Sequence, residues 1–364
     1  MRGWLALLAF AVASPAFAAT PPRPAWVGVW QGTIGTLPVR ACFFQKSAAG
    51  TVGSYYYLSK MAAIALHREA DGSWIEHGSG GAQVTGRWTV QPAGPRLAGD
   101  WRQGARRLAV TLTRVPSNLA EGGACGSTEY IAPRIRPVVL RTSPKRLGTF
   151  AYTEVKYDVG PNFSGVRIST FSYPSTQPGD RAINAALQVE NEPEADYLSC
   201  MQGALQTLGI DGFFDFGLEP VLVKPEFLSV RLASDAWCGQ PSPNTYSFQR
   251  LYDRKNGKRI DLSTWFTRTS VVPQPAYGYS HSHQLTPAFR ALVLRHRTEL
   301  RSDCADVVET SNYWDIALTH TGMEFWPDLP RVAMACGETI SVPYTEFASR
   351  LSPAGKAGWA RIAK

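Results

Sequence analysis

All six cysteines of the chain lie downstream of a short apolar N-terminal run, and that arrangement limits the folds open to it more than any other feature. Arg2 precedes the apolar stretch Trp4–Ala13, and Ala16-Phe17-Ala18 gives the small-x-small pattern of a signal-peptidase site, so residues 1–18 read as a signal peptide. The run is too short to span a bilayer. An even cysteine number in an exported chain predicts disulfides and not a thiol nucleophile or a metal cluster. Cys42 and Cys125 stand alone in the first part of the chain and are expected to pair. Among the remaining four, the nearest-neighbour choice is Cys200 with Cys238 and Cys304 with Cys336. Six cysteines allow about 15 connectivities, so spacing alone leaves the pairing open. The expected location is periplasmic or secreted.

The 364 residues predict about two domains. An apolar fraction of 44% is ample for packed cores, and 26 prolines with 32 glycines predict many turns. No second apolar stretch approaches the length of a membrane span. The net charge of +8 is uneven: residues 19–116 carry 11 Lys and Arg against 4 Asp and Glu, whereas residues 151–364 carry 20 against 23. Such asymmetry points to different partners for the two halves. An anionic envelope component would suit the basic half and a basic protein the acidic half. No nucleic-acid partner is expected.

Residues 19–116 read as a small β-barrel. Short alternating runs at 27–34, 38–44, 52–58, 62–66, 73–77, 84–91, 97–102 and 107–114 are separated by Gly, Ser, Asp and Pro clusters, with Asp71-Gly72 a hairpin signal. Gly28-Val-Trp30, Gly86-Arg-Trp88 and Gly99-Asp-Trp101 repeat one pattern. Residues i and i+2 share a strand face, so each glycine would leave room beside an indole in a tapering interior. The arrangement is similar to lipocalin-like barrels in general architecture. The tryptophans read either as plain core or as the lining of a ligand cavity, in which case Trp30, Tyr55, Tyr57, Trp88 and Trp101 are the candidate contacts.

Residues 117–149 read as a basic, proline-bearing connector. From 150 to 364 the pattern predicts an α+β domain with helices on an antiparallel sheet. Strands are expected at 151–158, 164–172, 226–236, 245–252, 313–319, 322–326 and 330–336. Helices are expected from Asp180, as N-cap, to Val189, at Leu262–Phe266, from Thr286 to Leu300 and from Pro343. The fold class expected for the whole chain is β-rich α+β.

Signatures of chemistry are sparse. No G-x-S-x-G, S-x-x-K or P-loop is present. His281-Ser-His283 has a metal-compatible spacing inside a Tyr/Gly/Ser-rich stretch that reads as a loop, and no metal or other cofactor is expected. Glu190–Asp196 reads as a solvated charge run continuing a helix. Asp303, Asp306 and Glu309 share one helical side, and a glycosidase pair would depend on spatial distance.

Two longer stretches carry a resemblance. Tyr246-Ser-Phe-Gln-Arg-Leu-Tyr-Asp253 followed by Asn256-Gly-Lys-Arg-Ile-Asp-Leu-Ser-Thr-Trp-Phe266 is one. Phe325-Trp-Pro-Asp-Leu-Pro330 with Cys336-Gly-Glu-Thr-Ile-Ser-Val-Pro-Tyr-Thr-Glu-Phe347 is the other. With Asp180-Arg-Ala-Ile-Asn184, they resemble the extracytoplasmic domain shared by lysozyme-sensing anti-sigma factors and a peptidoglycan deacetylase of Gram-positive bacteria. The resemblance covers about residues 150–364. Where the family has a Gly-Ala-His-Pro turn, this chain has Cys238-Gly-Gln-Pro241 and lacks the histidine. A sigma-binding segment and a deacetylase domain are not recognised. The resemblance implies a recognition module of the cell envelope, so the expected function is non-catalytic envelope binding. An envelope glycan or peptide hydrolase and a lysozyme-binding inhibitor are the alternatives.

Overall fold

The computed structural model describes residues 23–45, 50–78, 83–117, 123–272, 282–298 and 304–362. The signal-peptide reading of residues 1–18, His281 and Asp303 lie outside these. The first eight strands close into an antiparallel barrel. They are β1 Gly28–Ile34, β2 Leu37–Gln45, β3 Thr51–Tyr57, β4 Ile64–Arg68, β5 Trp74–His77, β6 Val84–Ala93, β7 Arg96–Gln103 and β8 Arg106–Val115. The alternation seen in the sequence is the cause: β6 buries Gly86, Trp88 and Val90 and exposes the residues between them. β3 departs from alternation because both of its faces are covered, Tyr55 inside the barrel and Val52 and Tyr56 outside.

The barrel's outer face is joined to the rest of the chain by specific contacts. Cys42 on β2 is bonded to Cys125, just before the short helix α1, Thr128–Ile131. Tyr130 donates from its hydroxyl to Ser54 Oγ at 2.8 Å, and Ser54 Oγ donates to the Gly209 carbonyl at 2.6 Å. Arg134, fully buried, meets Asp211 through two hydrogen bonds of 2.6 and 2.7 Å. One apolar cluster therefore runs from Val29, Val52 and Tyr56 of the barrel into Leu205, Phe214 and Phe216 beyond it.

Next comes a seven-stranded sheet in the order β15-β14-β13-β12-β11-β10-β9. Its strands are β9 Val139–Leu147, β10 Phe150–Asp158, β11 Val166–Ser172, β12 Phe213–Val223, β13 Phe227–Trp237, β14 Asn244–Asp253 and β15 Arg259–Ile260. β11 and β12 run parallel, because helices α2, Asp180–Ala186, and α3, Tyr197–Leu208, cross over one face between them. A smaller sheet follows: β16 Val271–Val272, β17 His283–Leu285, β18 Tyr313–Leu318, β19 Gly322–Pro327 and β20 Ile340–Pro343. Helices α4 Pro287–Leu294, α5 Ala305–Thr310, α6 Tyr344–Phe347 and α7 Pro353–Ile362 accompany it. Its core holds Trp314, Phe325, Phe289, Phe347 and Trp359. The architecture is β-rich α+β. The remaining disulfides are Cys200–Cys238 and Cys304–Cys336, and among the described residues no cysteine is free.

Several local expectations are corrected. The stretch 117–149, read as a connector, carries regular structure of its own: Thr128–Ile131 is helical, and β9 pairs along its whole length with β10. β9 is exposed on both faces at the sheet edge, and Pro144 with Lys145 and Arg146 gives such an edge strand the composition of a loop. Asp180 is the first helical residue and Gly179 the N-cap. The Asp180 carboxylate is instead fully buried, accepting from Arg254 and from the Thr176 and Gln177 amides. Pro193 splits 190–196 into two 3₁₀ turns, and Glu192 is buried against Arg250. Residues 331–336 form 3₁₀ turns and not a strand.

Candidate functional site

The barrel does bring its five aromatic candidates together. Trp30, Tyr55, Trp88 and Trp101 are buried and Tyr57 is half-buried, all in one cluster with Phe43 and Trp74. Tyr55 lies edge-on to Trp88 at 4.8 Å between ring centroids, and Phe43 meets Trp74 at 4.6 Å. A buried carboxylate, Glu76, sits among them. It accepts from the Tyr55 hydroxyl at 2.7 Å, the Trp101 indole at 2.9 Å and the Thr85 hydroxyl at 2.9 Å. Burial first, and the Glu76 charge second, hold the Tyr55 phenol protonated far above its ordinary range. Gly86 makes the arrangement possible: a Cβ there would run into the Trp101 indole and lie 2.9 Å from Glu76 Oε2. That glycine makes room for an indole across the ladder, on β7, and not for Trp88 on its own strand. Trp88 Nε1 is buried without a hydrogen-bond partner.

A second constellation lies on the larger sheet, on the face opposite the crossover helices. Register places Ser169 beside Gly217, Gly217 beside Ala233, and Ala233 beside Ser247. Four neighbouring strands thus contribute one row in which no side chain exceeds serine. At about 4.8 Å per strand, the row makes a trough roughly 15 Å long. Asp215, Asp235 and Thr245 stand on one side of it, and Glu219, Arg231 and Gln249 on the other. Two cavities open along this trough, of about 390 and 540 Å³. Tyr152, Glu154 and Phe171 line the first, whereas the second reaches β18 and β19 at Asp315, Glu324 and Trp326.

Most charges of the trough are matched. Arg231 meets Glu219 at 3.1 Å, Arg167 meets Asp215 at 2.8 Å, and Thr245 donates to Asp235 at 2.7 Å. Glu154 has Lys145 and Lys156 at 3.7 Å. Asp315 is the exception. Its Oδ1 is buried with no hydrogen-bond partner, and burial, assisted by the Asp328 charge, pushes its carboxyl up to about 7. The reason is local: Asp315 alternates with the core residues Trp314 and Ile316 and projects from the other side of β18, opposite Trp326. A carboxyl held near neutrality in a cleft is the kind of group that binding and proton-transfer sites use.

The other sequence candidates do not join either constellation. His283 lies on β17, where burial pulls its imidazole below the ordinary range, 3.9 Å from Asp261. Asp306 and Glu309 lie on α5, and Glu309 meets Arg297 at 3.2 Å. Among the described residues no three His, Cys, Asp or Glu side chains converge as metal ligands. The trough residues Ser169, Gly217, Ala233 and Ser247, with Asp315 and Trp326, carry no sequence motif. The one usable signal was the polar or small residue at every second position of Asp215–Glu219.

This fold and trough define a disulfide-stabilised, β-rich protein with a barrel in front of a grooved sheet. No family model matches the sequence, and no curated protein matches it. Among solved structures, it is similar to a member of the DUF3298 family from Bacteroides fragilis, with 12% identity and a TM-score of 0.38, covering 63% of this chain and 97% of that one. It is also similar to a DUF3298 family protein from Pseudomonas aeruginosa, with 15% identity and a TM-score of 0.34, covering 60% and 94%. Both likenesses are too distant to assign a function.

Proposed function

We propose that the chain is an exported, non-catalytic binding protein of the cell envelope, and that the trough across the larger sheet holds its ligand. The observation carrying this reading is the Ser169–Gly217–Ala233–Ser247 row, which opens cavities of small-molecule size beside aromatic and acidic walls. Three disulfides fit an oxidising compartment outside the cytoplasm, periplasmic or secreted. In this reading residues 19–116 and 150–364 act as two units. The basic barrel would face an anionic envelope component, and the resemblance to envelope-sensing domains would apply to the second unit. The barrel aromatics Trp30, Tyr55, Tyr57, Trp88 and Trp101 serve as packing. The test is co-sedimentation of the mature protein with purified peptidoglycan sacculi. Ala233→Trp, which fills the trough, should abolish retention while leaving the melting temperature nearly unchanged. Equal retention by this variant overturns the reading.

One observation favours the hydrolase alternative: Asp315, held near neutrality, shares a cavity with Glu219 and Glu324. A proton donor beside a second carboxylate is the minimal glycosidase apparatus. Release of reducing ends from sacculi, lost in Asp315→Asn, would establish it. The acidic trough would equally suit a basic protein, and retention on immobilised lysozyme separates that alternative from glycan binding.

A further inference from the structure

Every neighbouring pair of strands in the barrel is antiparallel, so the ends of β1, β3, β5 and β7 and the starts of β2, β4, β6 and β8 share one rim. All three large apolar side chains that the barrel exposes among its described residues belong to that rim. They are Leu37, Leu58 and Val84, at 44%, 40% and 56% exposure. Backbone contacts join the rim together. The Leu58 amide donates to the Pro38 carbonyl at 3.0 Å, and the Gly35 amide donates to the Ala109 carbonyl at 2.7 Å, beside the start of β8. Lys60, Arg102, Arg106 and Arg107 are exposed along the same rim. Arg106 lies over the Trp101 ring, 5.8 Å from its centroid. Residues 35–39, 57–63, 83–86 and 102–107 contain no carboxylate. Asp100 on β7 meets Arg107 and lies 3.9 Å from Arg102, so the rim's charge is matched only in part. The larger domain touches the rim at Ala63, whose amide donates to Asp211 at 3.2 Å. The opposite rim differs: the β4–β5 turn there carries Glu69 and Asp71, and no large apolar side chain is exposed among its described residues.

We infer that this rim docks on an anionic lipid bilayer, with the three aliphatic side chains entering the headgroup boundary and the four cations meeting lipid phosphates. The inference rests on the reading of the barrel as the part that faces an anionic envelope component, and it names that component. Two requirements select the occupant. Exposed aliphatic side chains gain only from an apolar phase. Guanidinium groups gain most from the oxygen forks of phosphate or carboxylate. A bilayer surface supplies both within about 5–10 Å of depth, whereas a soluble polyanion supplies the second alone. The attachment is peripheral. Among the described residues no helix is long and apolar enough to cross a membrane. The outward residues along the barrel wall, among them Thr89, Gln91, Thr111 and Thr113, are polar, so the lipid contact stops at the rim. The aromatic interior takes no part in it.

The probe is a vesicle of phosphatidylglycerol and phosphatidylethanolamine, sedimented with the protein at low ionic strength. Phosphatidylcholine vesicles and soluble inorganic polyphosphate are the counterparts. The expected result is binding to the phosphatidylglycerol vesicles that weakens with salt and is slight on phosphatidylcholine. Lys60→Gln/Arg106→Gln should lower the vesicle affinity by roughly tenfold or more. Leu37→Ser/Leu58→Ser should lower it by roughly tenfold while leaving polyphosphate binding unchanged. All four side chains are exposed, so both variants should keep the melting temperature of the wild type. Vesicle affinity equal to that of the wild type in either double variant overturns the inference. Polyphosphate binding without vesicle binding overturns the bilayer and leaves the barrel's anionic partner standing. If neither probe binds, the reading of the barrel falls as well.

Discussion

Glu76 in the barrel and Asp315 in the trough are both carboxylates taken out of bulk water, and their surroundings treat them in opposite ways. Glu76 receives three donors from Tyr55, Trp101 and Thr85, inside a ring of aromatic side chains that pack on one another. Asp315 receives none at Oδ1 and faces an open cavity. A satisfied buried polar group fixes a structure, whereas an unsatisfied one weakens the fold. The proposed function assigns cohesion to the barrel and contact to the trough.

The largest effect expected is in the barrel. Glu76→Leu strands a tyrosine hydroxyl and an indole N–H in an apolar interior, and chemical denaturation should register a loss of about 3–5 kcal/mol. A loss below about 1 kcal/mol would mean that the Glu76 network is not structural. Asp315→Asn should act in the opposite sense. Between the ordinary carboxyl range, 3.8, and about 7 the folded state keeps a proton that the unfolded chain has released. The contribution is therefore fully present below 3.8 and is lost as pH rises through about 7. Asp328 is the charge that acts on Asp315, and Glu219, Arg231, Tyr246 and Glu324 line the same cavity. Relative to wild type, Asp315→Asn should gain about 1–3 kcal/mol at pH 8 and little at pH 4, read as a difference in melting temperature. A pH-independent difference would remove the contrast with Glu76. The smallest effect on stability is expected from Ala233→Phe, within about 1 kcal/mol because its side chain enters open space, although its effect on binding should be the greatest. A large destabilisation there would mark the trough as packed core.

The barrel was legible because its signals are local. Alternation, Gly-x-Trp spacing and turn residues act within ten residues of one another, and all eight strands fall close to where those patterns lie. The trough was not, because its floor is a matter of register between residues 14 to 48 positions apart. β12 itself was missed. Gly217 and Pro220 interrupt its pattern, and the pairing is indeed irregular between Pro220 and Leu222. Helix α3 also escaped notice, although Asp196 caps its start and Gly209, at φ +72°, closes its end. Asp315 was hidden in a strand whose neighbours, Trp314 and Ile316, read as core. Nothing in the sequence shows that one residue of such a strand will face a cleft formed with β14.

The central claim is that ligand contact belongs to the trough and cohesion to the barrel. Hydrogen–deuterium exchange on the protein, with and without soluble peptidoglycan fragments, tests it strand by strand. The account predicts added protection on β12, β13, β14, β18 and β19, with β5, β6 and β7 unchanged. Protection confined to β5–β7, around Trp88, Trp101 and Glu76, would contradict it.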